Sequence, residues 1–424
     1  MLIPPEPRRT WLSGYNFAMD IGIIGAGASG IFAALAAAQG GAHVTLFDHN
    51  AEIGKKLLVT GSGRCNLTNA ALSPEKYTCA DQSWMQTFLQ AFPLQALLAE
   101  LDALGIPTHH SDDGWYYPLS DSAHSVVDIL RQALLARGVE LRLSTEIVDF
   151  WLQGEGFMVR FPSGEPARTQ SFDKLVVAAG GKAYPALGSR GELFPVLARL
   201  GHSVVPLVPA LGPLTLQLGA WKALQGLRFD VKTGIWAGQE LLGESFGNVI
   251  FTAWGMNGPG VMNLSHLAAR QPSQKLSLSL DFGAAFGEEW ERRLSKDNPA
   301  NLKAVLEAFF PPKAADFFLA QVRIPPEARM RELSRAQAQQ LESTLRDTHL
   351  PITGTKGFDQ SQVSAGGVPV GEVDPRTCQS RLVPGLYLVG ETLDVVGPCG
   401  GFNLHFAFGS GCLAGQHLTG KAQN

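Results

Sequence analysis

The stretch DIGIIGAGASG, residues 20–30, decides the fold. It opens with a short apolar strand pattern, continues through Gly25-x-Gly27-x-x-Gly30, and leads into an alanine-rich helix pattern over Ala28–Gln39. In such a fingerprint the first glycine permits a tight turn, the second lets the backbone approach a pyrophosphate, and the third lets helix and strand pack closely. The helix N-terminus then offers unpaired N–H groups and a positive dipole end to the phosphates.

A second strand pattern, His43–Phe47, ends at Asp48, at about the 20-residue distance that this fingerprint requires. An acid there is expected to hydrogen-bond a ribose hydroxyl, and it disfavours the 2′-phosphate of NADP. The alternative interpretation is a glycine-rich turn between ordinary elements, which does not account for strand, helix and acid together. The pattern therefore predicts a dinucleotide site, but by itself it does not separate NAD from FAD.

Four further glycine-rich loops favour the longer cofactor, FAD. They are GKKLLVTGSGRCN (54–66), VAAGG (177–181), LVGETLD (388–394) and GGFNL (400–404). The last loop opens a helix pattern, whose N-terminus could stabilise negative charge on a reduced flavin ring. No second GxGxxG follows, so NAD(P)H is expected as a transient electron donor without a Rossmann domain of its own.

Composition excludes several classes of protein. The chain has 424 residues with 47 glycines and 26 prolines, and no Gly-X-Y period makes it a fibre. Hydrophobic residues make up 45% and charged residues 17%, which supports a globular core. The formal net charge of −4 gives no global attraction to nucleic acid or to an anionic membrane, although a local basic patch stays possible. The apolar run 21–38 belongs to the fingerprint and is not a signal or membrane segment.

The five cysteines are an odd number without a CxxC pair, which excludes a zinc knuckle and a dithiol redox pair of that spacing. A reducing, cytoplasmic location fits this usage best. The lack of CxxC also argues against a disulfide reductase.

The secondary-structure pattern changes from α/β to β, then to α, and returns to α/β, which indicates a discontinuous domain with an insertion. We predict a flexible extension over 1–18, an FAD-binding domain over 19–190 and 353–424, an inserted β-rich domain over 191–284 and a helical subdomain over 285–352. Within these, helices are predicted over Trp84–Leu104 and Ala123–Arg137, and strands over Val139–Leu143, Glu146–Phe150, Lys174–Ala179 and Gly385–Val389.

The segments GKKLLVTGSGRCNLTN, VAAGG and PGLYLVGETLDVVGPCGGFNLHFAFGSG resemble the BaiN/YhiN-type flavoproteins, a bacterial family of the glutathione-reductase-like FAD superfamily. The resemblance runs from about Asp20 to Gly415. It implies an α/β fold, with a discontinuous Rossmann FAD domain, an inserted β-rich domain and a small helical subdomain. It also implies FAD contacts at Gly25, Ala26, Gly27, Ala28, Ser29, Gly30, Asp48, Lys56, Gly61, Gly63, Arg64, Cys65, Asn66, Ile147, Ala179, Gly180, Gly390, Glu391, Asp394, Gly401, Phe402, Asn403 and Leu404.

The resemblance assigns these residues to parts of the cofactor. Gly25 to Gly30 would hold the pyrophosphate, Asp48 the adenosine ribose, and the Ile147 backbone the adenine. Gly61 to Asn66 would line the flavin side, and Gly401 to Leu404 would cap the ring. Glu391 and Asp394 would meet the ribityl chain or the pyrophosphate.

Two departures from the family pattern indicate a divergent subgroup. Family members commonly carry a Thr-His pair where this chain has Thr252-Ala253, and a threonine where it has Cys399. If that histidine protonates substrate elsewhere in the family, this chain cannot use it. The substrate therefore need not be the one best known for the family.

Cys65 and Cys399 are the weak catalytic candidates, because both lie in loops expected to face the flavin. A thiolate would form there if a neighbouring charge such as Arg64 lowered the thiol pKa. The alternative, a small buried hydrophobe, is favoured.

Three other patterns favour structural roles. His109-His110 before SerAspAsp resembles a metal cluster, but adjacent residues of a strand face opposite sides, so no metal is predicted. The aromatic run 115–118 could stack on a planar substrate, although a packed domain edge is the favoured interpretation. The segment 288–346 has balanced charge and is interpreted as a solvated cap or lid rather than an RNA-binding arm.

The sequence thus predicts an FAD-dependent oxidoreductase that reduces a carbonyl-conjugated C=C bond with NAD(P)H. The family association includes steroid-like substrates and the uracil ring of ribosomal RNA, and the same reaction type applies to both. A small molecule and a folded RNA therefore both stay open as substrates, with no membrane partner expected. A flavin-binding protein without catalytic activity is the third hypothesis.

Overall fold

The computed structural model describes residues 19–162 and 168–420. The predicted extension over 1–18 lies outside the described residues. No helix within the described part of the chain is long and apolar enough to cross a membrane.

The first part of the chain contains ten strands and five α-helices among its described residues. They are β1 Asp20–Ile24, α1 Ala28–Gln39, β2 His43–Phe47, β3 Thr68–Asn69, α2 Gln82–Ala91, α3 Leu94–Ala103, β4 Thr108–His110, β5 Trp115–Pro118, α4 Ala123–Ala136, β6 Glu140–Arg142, β7 Asp149–Gln153, β8 Gly156–Arg160, β9 Thr169–Phe172, β10 Lys174–Val177 and α5 Phe194–Arg199.

The middle of the chain forms the insertion, and the end of the chain returns to the first domain. The insertion and its connecting strand contain β11 Val205–Ala210, β12 Leu214–Leu216, β13 Arg228–Ala237, β14 Glu240–Phe251, β15 Gly255–Asn257, α6 Pro259–Met262, α7 Ser265–Ala269, β16 Leu276–Asp281, α8 Gly287–Arg293, α9 Leu302–Glu307, α10 Pro312–Gln321, α11 Arg335–Arg346 and β17 Thr348–Thr355. The last part contains β18 Val363–Gly367, β19 Leu386–Leu388 and α12 Phe402–Leu418.

A five-stranded sheet carries the glycine fingerprint. Its strand order is β19-β10-β1-β2-β6, and every neighbouring pair is parallel. Ile23 in β1 lies opposite Val176 and Leu46, and all three side chains are fully buried. Parallel strands covered on both faces need such continuous apolar runs. Because β19 comes from the C-terminal segment, the domain is discontinuous, and the predicted Rossmann-type α/β fold is confirmed.

Helices α1 and α12 cross in direct contact beside this sheet. A Cβ on Gly411 would collide with the Ser29 carbonyl oxygen, and one on Gly415 would lie 2.5 Å from the Ala33 carbonyl oxygen. The Phe32 and Phe408 rings pack 4.4 Å apart at the same crossing. The two glycines, one helical turn apart, therefore bring the last helix of the chain against the first.

The insertion is a closed six-stranded barrel with the order β12-β15-β14-β13-β16-β17. Helices α8 to α11 lie in the sequence between the last two barrel strands, and their apolar residues share one core with the barrel. Phe318 of α10, for example, packs 5.2 Å from Phe282 at the end of β16. The segment predicted as a helical subdomain over 285–352 thus covers the barrel, and its last residues belong to strand β17.

The connection into the insertion also differs from the predicted boundary at residue 191. Helix α5 follows that position, yet Phe194 and Leu197 pack in the core of the FAD domain. The chain then crosses through β11, which pairs with β18 on the return crossing.

Two predicted elements have different bounds because of local backbone chemistry. The helix predicted over Trp84–Leu104 is two helices, α2 and α3, because Pro93 lacks an N–H donor and disfavours helical backbone at the residue before it. The strand predicted over Glu146–Phe150 starts only at Asp149. Ile147 instead lies in an unpaired segment that borders the cavity described next.

Candidate functional site

A cavity of about 740 Å³ lies where the FAD domain meets the insertion. Its wall includes the turn after β1, the end of β2, the loop 55–64, the N-terminus of α12 and helix α6. Ligand sites in α/β folds lie at the carboxyl ends of parallel strands, and their volumes are usually about 300–1,000 Å³. The cavity therefore has the position and size of a ligand site.

The fingerprint glycines occupy three different environments at one end of this cavity. Gly25 has a left-handed φ of +107°, and a Cβ there would collide with the Ala178 carbonyl oxygen. A Cβ on Gly30 would collide with the Gly25 carbonyl oxygen, so this glycine serves helix–strand packing. A Cβ on Gly27 would meet no atom within 4 Å, and Gly27 lines the cavity. The open space beside Gly27, at the start of α1, is where a pyrophosphate fits.

Asp48 lies at the end of β2 with a side chain that is 12% exposed. Its Oδ2 accepts a hydrogen bond from the Ala26 amide at 2.8 Å. Its Oδ1 accepts two from Asn50, from the backbone amide at 2.8 Å and from Nδ2 at 3.0 Å. A carboxylate has about four acceptor positions, so one remains for a ribose hydroxyl. Asp48 thus fixes the glycine turn and can still bind a ligand.

The opposite wall of this end comes from two loops. Ile147 is 6% exposed and lines the cavity. Asn50 Nδ2 also donates to the Leu187 carbonyl oxygen at 3.2 Å, which attaches the loop after β10 to the end of β2. Gly188 in that loop has φ +118° and lies against His49 and Asn50. These contacts place Leu187 and Gly188 beside the end of β2, next to the expected ribose position, where an adenine base would be bound.

An ion pair joins the two chain segments that border the middle of the cavity. Lys56 Nζ donates to Glu391 Oε2 at 2.8 Å, and both residues line the cavity. Glu391 Oε1 accepts from the Ser364 backbone amide at 2.7 Å and from the Ser364 hydroxyl at 2.8 Å. The loop after β2 and the loop after β19 are therefore held together by charge and hydrogen bonds.

The N-terminus of α12 closes the other end. Gly401 begins the helix with φ +93°, and a Cβ there would lie 2.5 Å from the Thr68 carbonyl oxygen. The Asn403 side chain bonds both backbone groups of Gly397, the N–H at 2.9 Å and the carbonyl at 2.8 Å. The side chain of Asn403 thus holds the loop, while the first N–H groups of the helix have no intrahelical acceptor and remain available to an anionic ring edge.

A buried histidine in the first turn of α12 stays neutral. His405 is fully buried between the Thr68 hydroxyl, 2.9 Å from Nδ1, and the Phe92 carbonyl oxygen, 3.1 Å from Nε2. Burial lowers the pKa of His405 to about 4. The helix terminus therefore presents its dipole to the cavity without a charged imidazole beside it.

The residues present fit FAD, since the open Gly27 turn, the remaining acceptor on Asp48 and the α12 terminus all border the same cavity. Most of the predicted cofactor residues line the cavity: Gly25, Ala26, Gly27, Ala28, Ser29, Asp48, Lys56, Gly61, Arg64, Asn66, Ile147, Ala179, Gly180, Glu391, Gly401, Asn403 and Leu404. Their individual contacts with FAD remain predictions.

The other predicted cofactor residues lie outside the cavity wall: Gly30, Gly63, Cys65, Gly390, Asp394 and Phe402. Phe402 is buried and packs against Tyr77, with ring centres 5.8 Å apart. Gly390 lies against Ser29, and its amide donates to the Ser410 hydroxyl at 2.9 Å. Phe402 and Gly390, like Gly30, therefore pack closely against neighbouring elements.

Asp394, another of the predicted cofactor residues, bonds two groups of the protein. Its Oδ1 accepts from the Gly366 amide at 2.7 Å and from Arg270 Nη2 at 3.2 Å. Arg270 ends helix α7 of the insertion. Asp394 therefore links the C-terminal loop of the FAD domain to the barrel.

The two candidate cysteines carry protonated thiols. Cys65 is fully buried in the hydrophobic core, and burial raises its thiol pKa to about 11. Cys399 lines the cavity, but burial raises its thiol pKa to about 12. Arg64, which was expected to activate a thiolate, bonds Asp121 instead through Nε at 3.1 Å and Nη2 at 2.8 Å. Cys65 fits the favoured interpretation as a small buried group, whereas Cys399 is half-buried and borders the cavity.

Several wall residues carry no recognisable signal in the sequence. Leu211, Met262, Gln362 and Val363 line the cavity from the insertion and its two connections. They come from segments far apart in the chain, and only the strand crossings bring them to one wall. Trp115 also lines it, so part of the aromatic run forms the site as well as a domain edge.

The paired histidines on β4 engage other partners. His109 Nε2 lies 3.2 Å from Asp121 Oδ1, and the His110 ring packs 5.2 Å from Tyr116. Over 19–162 and 168–420 no group of three or more His, Cys, Asp or Glu side chains is arranged to hold a metal ion. Helices α8 to α11 do not contribute to the cavity wall, so the segment 288–346 covers the barrel and is not a lid of this site.

Known proteins share this sequence over almost its full length. The profile of the family described as HI0933-like protein Rossmann domain matches residues 19–417. The 3-dehydro-bile acid delta(4,6)-reductase of Clostridium scindens is 37% identical over 407 residues, covering 93% of this chain and 98% of that protein. The ribosomal RNA dihydrouridine synthase of Escherichia coli K12 is 31% identical over 404 residues, covering 94% and 98% respectively.

The fold also recurs in a solved structure of low sequence identity. The 3-ketosteroid delta1-dehydrogenase from Sterolibacterium denitrificans is 12% identical, with a TM-score of 0.52, over 96% of this chain and all of that one. This likeness concerns the fold.

Proposed function

The chain belongs to the HI0933-like family of FAD flavoproteins and is an FAD-dependent oxidoreductase, and we propose that it reduces a carbon–carbon double bond conjugated to a carbonyl group in a small molecule. NAD(P)H is the proposed source of electrons. Bound FAD supplies the hydride chemistry that links donor and substrate. The protein's own residues bind the cofactor, orient the substrate and exclude water.

One observation favours a small-molecule substrate: the part of the cavity wall that the insertion and its connections supply is largely apolar. Leu211 is 2% exposed and Met262 is 8% exposed, and both line the cavity with Trp115 and Val363. Apolar walls with few polar groups bind drug-sized molecules by burying their surface. Gln362 lines the same wall and offers an amide to a carbonyl oxygen.

The relative from Clostridium scindens supports the same choice. Its name describes reduction of a 3-dehydro-bile acid, a polycyclic and largely apolar molecule, and it is the more similar of the two relatives described above. An apolar wall suits a substrate of that class.

NAD(P)H is proposed to bind transiently, without a nucleotide-binding domain of its own. Within the described ranges the chain forms one parallel nucleotide-binding sheet, and the insertion is an antiparallel barrel. NAD(P)H would therefore approach the flavin through the same cavity as the substrate. The two half-reactions would then alternate, as in a ping-pong scheme.

Anaerobic mixing tests both parts of the proposal. The purified yellow protein is mixed with NADH or NADPH, and bleaching of the flavin absorbance establishes electron uptake. The reduced protein is then mixed with a polycyclic 4-en-3-one, and return of the yellow colour with formation of the saturated ketone establishes the second half-reaction. If neither nicotinamide bleaches the flavin, the donor assignment fails. If chemically reduced protein leaves the enone unchanged, the substrate class fails.

Reduction of uridine in ribosomal RNA is the second candidate, favoured by the 31% identical relative and by a basic stretch of the wall. Lys55, Lys56 and Arg64 line the cavity, and the Arg64 side chain is 44% exposed. A uracil ring contains a C=C bond conjugated to a carbonyl, but it would have to leave its stack to enter the cavity. Reoxidation of the reduced protein by a ribosomal RNA fragment, weakened strongly by added salt, would favour this candidate over the small molecule.

A further inference from the structure

Tyr117 lies on strand β5 with its side chain at the cavity wall. Alternate residues of a strand face opposite sides, and here Trp115 and Tyr117 line the cavity. Tyr116, between them, packs against His110 with ring centres 5.2 Å apart and is not part of the wall. The two neighbouring tyrosines therefore differ in access to a bound ligand.

The hydroxyl of Tyr117 is itself accessible to solvent, although the residue as a whole is only 6% exposed. It makes no hydrogen bond with any residue in 19–162 or 168–420. The buried hydroxyl of Tyr77, by contrast, donates to the Phe402 carbonyl oxygen at 3.0 Å, and that of Tyr387 lies 2.9 Å from His417 Nδ1. Because the Tyr117 hydroxyl is accessible and bonds no protein group of the described ranges, it is free to bond a molecule in the cavity that the residue lines.

A fixed cation covers the Tyr117 ring. Arg64 Cζ lies 4.0 Å from the ring centre, and Asp121 holds the guanidinium in place. On the edge of the ring, a Cβ on Gly61 would lie 3.3 Å from Tyr117 Cε1, so the left-handed glycine lets the loop 57–63 lie against the tyrosine. The loop that contains Gly61 and Arg64 therefore packs against both the edge and the face of the Tyr117 ring.

The charges around Tyr117 suit a proton donor. Burial raises the pKa of Tyr117, and the nearby Asp121 and Asp113 carboxylates act in the same direction, while Arg64 opposes them. His109 bonds the same Asp121 carboxylate. The phenol is thus protonated at neutral pH, and the guanidinium stabilises the phenolate that forms when the proton leaves.

Reduction of a conjugated C=C bond needs two hydrogens from different sources. The carbon β to the carbonyl receives a hydride, with two electrons, from the reduced cofactor. The electron pair of the double bond moves to the α carbon, which must then receive a proton. Of the other ionisable groups on this wall, Lys56 is held in an ion pair with Glu391, and Tyr184 is the other tyrosine, which the variants below test.

Resting on the proposed reduction, we propose that Tyr117 is the proton donor: its hydroxyl bond breaks as a C–H bond forms at the substrate α carbon. The resulting phenolate, beneath the Arg64 guanidinium, takes its proton back from water. Ala253, at the position where the resemblance led us to consider a histidine, is exposed and does not line the cavity, so this position has no part in the proposed proton transfer.

The decisive pair of variants is Tyr117→Phe and Tyr116→Phe, which remove one hydroxyl each from adjacent residues of β5. In Tyr117→Phe, reoxidation of the reduced flavin by the enone is expected to slow by about 100-fold or more, the usual contribution of a general acid. Bleaching by the nicotinamide and FAD content are expected to stay unchanged, because neither step uses this proton. Tyr116→Phe should match the unmodified protein in all three measurements.

A second measurement does not depend on turnover. Tyrosine ionisation is followed by ultraviolet difference absorbance in the oxidised protein, with and without a saturated polycyclic ketone. The ketone is expected to shift one ionisation to higher pH, because a bound carbonyl compound buries and bonds the Tyr117 hydroxyl. Tyr117→Phe should lack both that ionisation and the shift, whereas Tyr116→Phe should keep the shift.

The outcomes separate the two proposals. If the protein reduces the enone and Tyr117→Phe does so at the same rate, the proton-donor role is overturned and the proposed function stands. The donor role is likewise overturned if Tyr184→Phe, which alters the other tyrosine of the cavity wall, slows the reaction while Tyr117→Phe does not. If the protein reduces no enone, the proposed function and the donor role both fall, and the ketone-dependent ionisation then shows only whether Tyr117 contacts a ligand.

Discussion

The Lys56 ammonium lies 2.8 Å from the Glu391 carboxylate and joins two loops that are 335 residues apart in the chain. The two side chains are 25% and 16% exposed, so the pair is largely shielded from water. One loop follows strand β2 and the other follows β19, at the two ends of a domain that the barrel interrupts. The ion pair therefore closes the discontinuous FAD domain around the cavity.

Glu391→Gln should weaken FAD binding and lower the free energy of unfolding by about 1 kcal/mol, because Lys56 keeps its charge and loses its partner. Fluorescence titration of the apoprotein with FAD and urea unfolding measure the two effects. The double variant Lys56→Met/Glu391→Gln is the control, since it removes both charges. The double variant should lose less free energy of unfolding than Lys56→Met and Glu391→Gln lose when measured separately and added together. Additive losses would mean that the two charges are not energetically coupled.

Gly27→Val and Gly30→Ala should fail in different ways. A side chain at Gly27 enters open space, so the variant should fold normally and purify without yellow FAD, because the side chain blocks the pyrophosphate position. A methyl group at Gly30 meets the Gly25 carbonyl oxygen, so that variant should lose stability before it loses cofactor. Absorbance of the bound flavin and thermal unfolding distinguish the two. A yellow Gly27→Val protein would contradict the phosphate assignment.

The parts of the site that were predictable are those fixed by local backbone chemistry. The bounds of β1, α1 and β2 follow from apolar periodicity, and the fingerprint glycines serve tight turns and close packing whatever the rest of the chain does. The helical start at Gly401 was similarly readable from its glycines. Such features depend on neighbours in sequence.

The unpredictable parts depend on contacts distant in sequence. Nothing local shows that Arg64 bonds Asp121 and covers the Tyr117 ring, or that Asp394 bonds Arg270 of the insertion. The helical segment before β17 was predicted as a subdomain because its polar face is visible in the sequence, whereas the pairing of β17 with β12 and β16 is not. Membership of a barrel requires partner strands, which a sequence pattern does not identify.

The cysteine geometry predicts slow thiol chemistry at the cavity. Burial raises the thiol pKa values of Cys65 and Cys399 to about 11 and about 12, so thiolate is scarce at neutral pH. Native protein treated with iodoacetamide should be alkylated at these two positions far more slowly than urea-unfolded protein, as mass spectrometry of peptides would record. Cys399→Ser should keep flavin bleaching by the nicotinamide donor. Rapid alkylation of Cys399 in native protein would restore the thiolate hypothesis.

His266 in helix α7 should make stability depend on pH. It is 4% exposed, and neither ring nitrogen has a hydrogen-bond partner among the residues of the described ranges. Burial, together with the nearby Arg270 charge, lowers its pKa to about 4 from an ordinary value of 6.5. Between pH 6.5 and about 4, His266 is protonated in the unfolded chain but stays neutral in the folded protein. The stability gained from keeping the ring neutral is therefore complete above pH 6.5 and is lost as the pH falls towards 4.

His266→Leu removes both the unpartnered ring nitrogens and this titration. The variant should be more stable than the unmodified protein at pH 7, by about 1 kcal/mol or more, because no buried polar atom is left without a partner. Its advantage should widen by about 2 kcal/mol at pH 5, where the unmodified protein has lost most of the histidine contribution. Urea unfolding of the FAD-loaded proteins at fixed cofactor concentration measures both differences. His124→Leu, which changes an exposed histidine of α4, is the control for losing one imidazole. Parallel stability curves for His266→Leu and the unmodified protein between pH 7 and pH 5 would show that His266 does not titrate on unfolding.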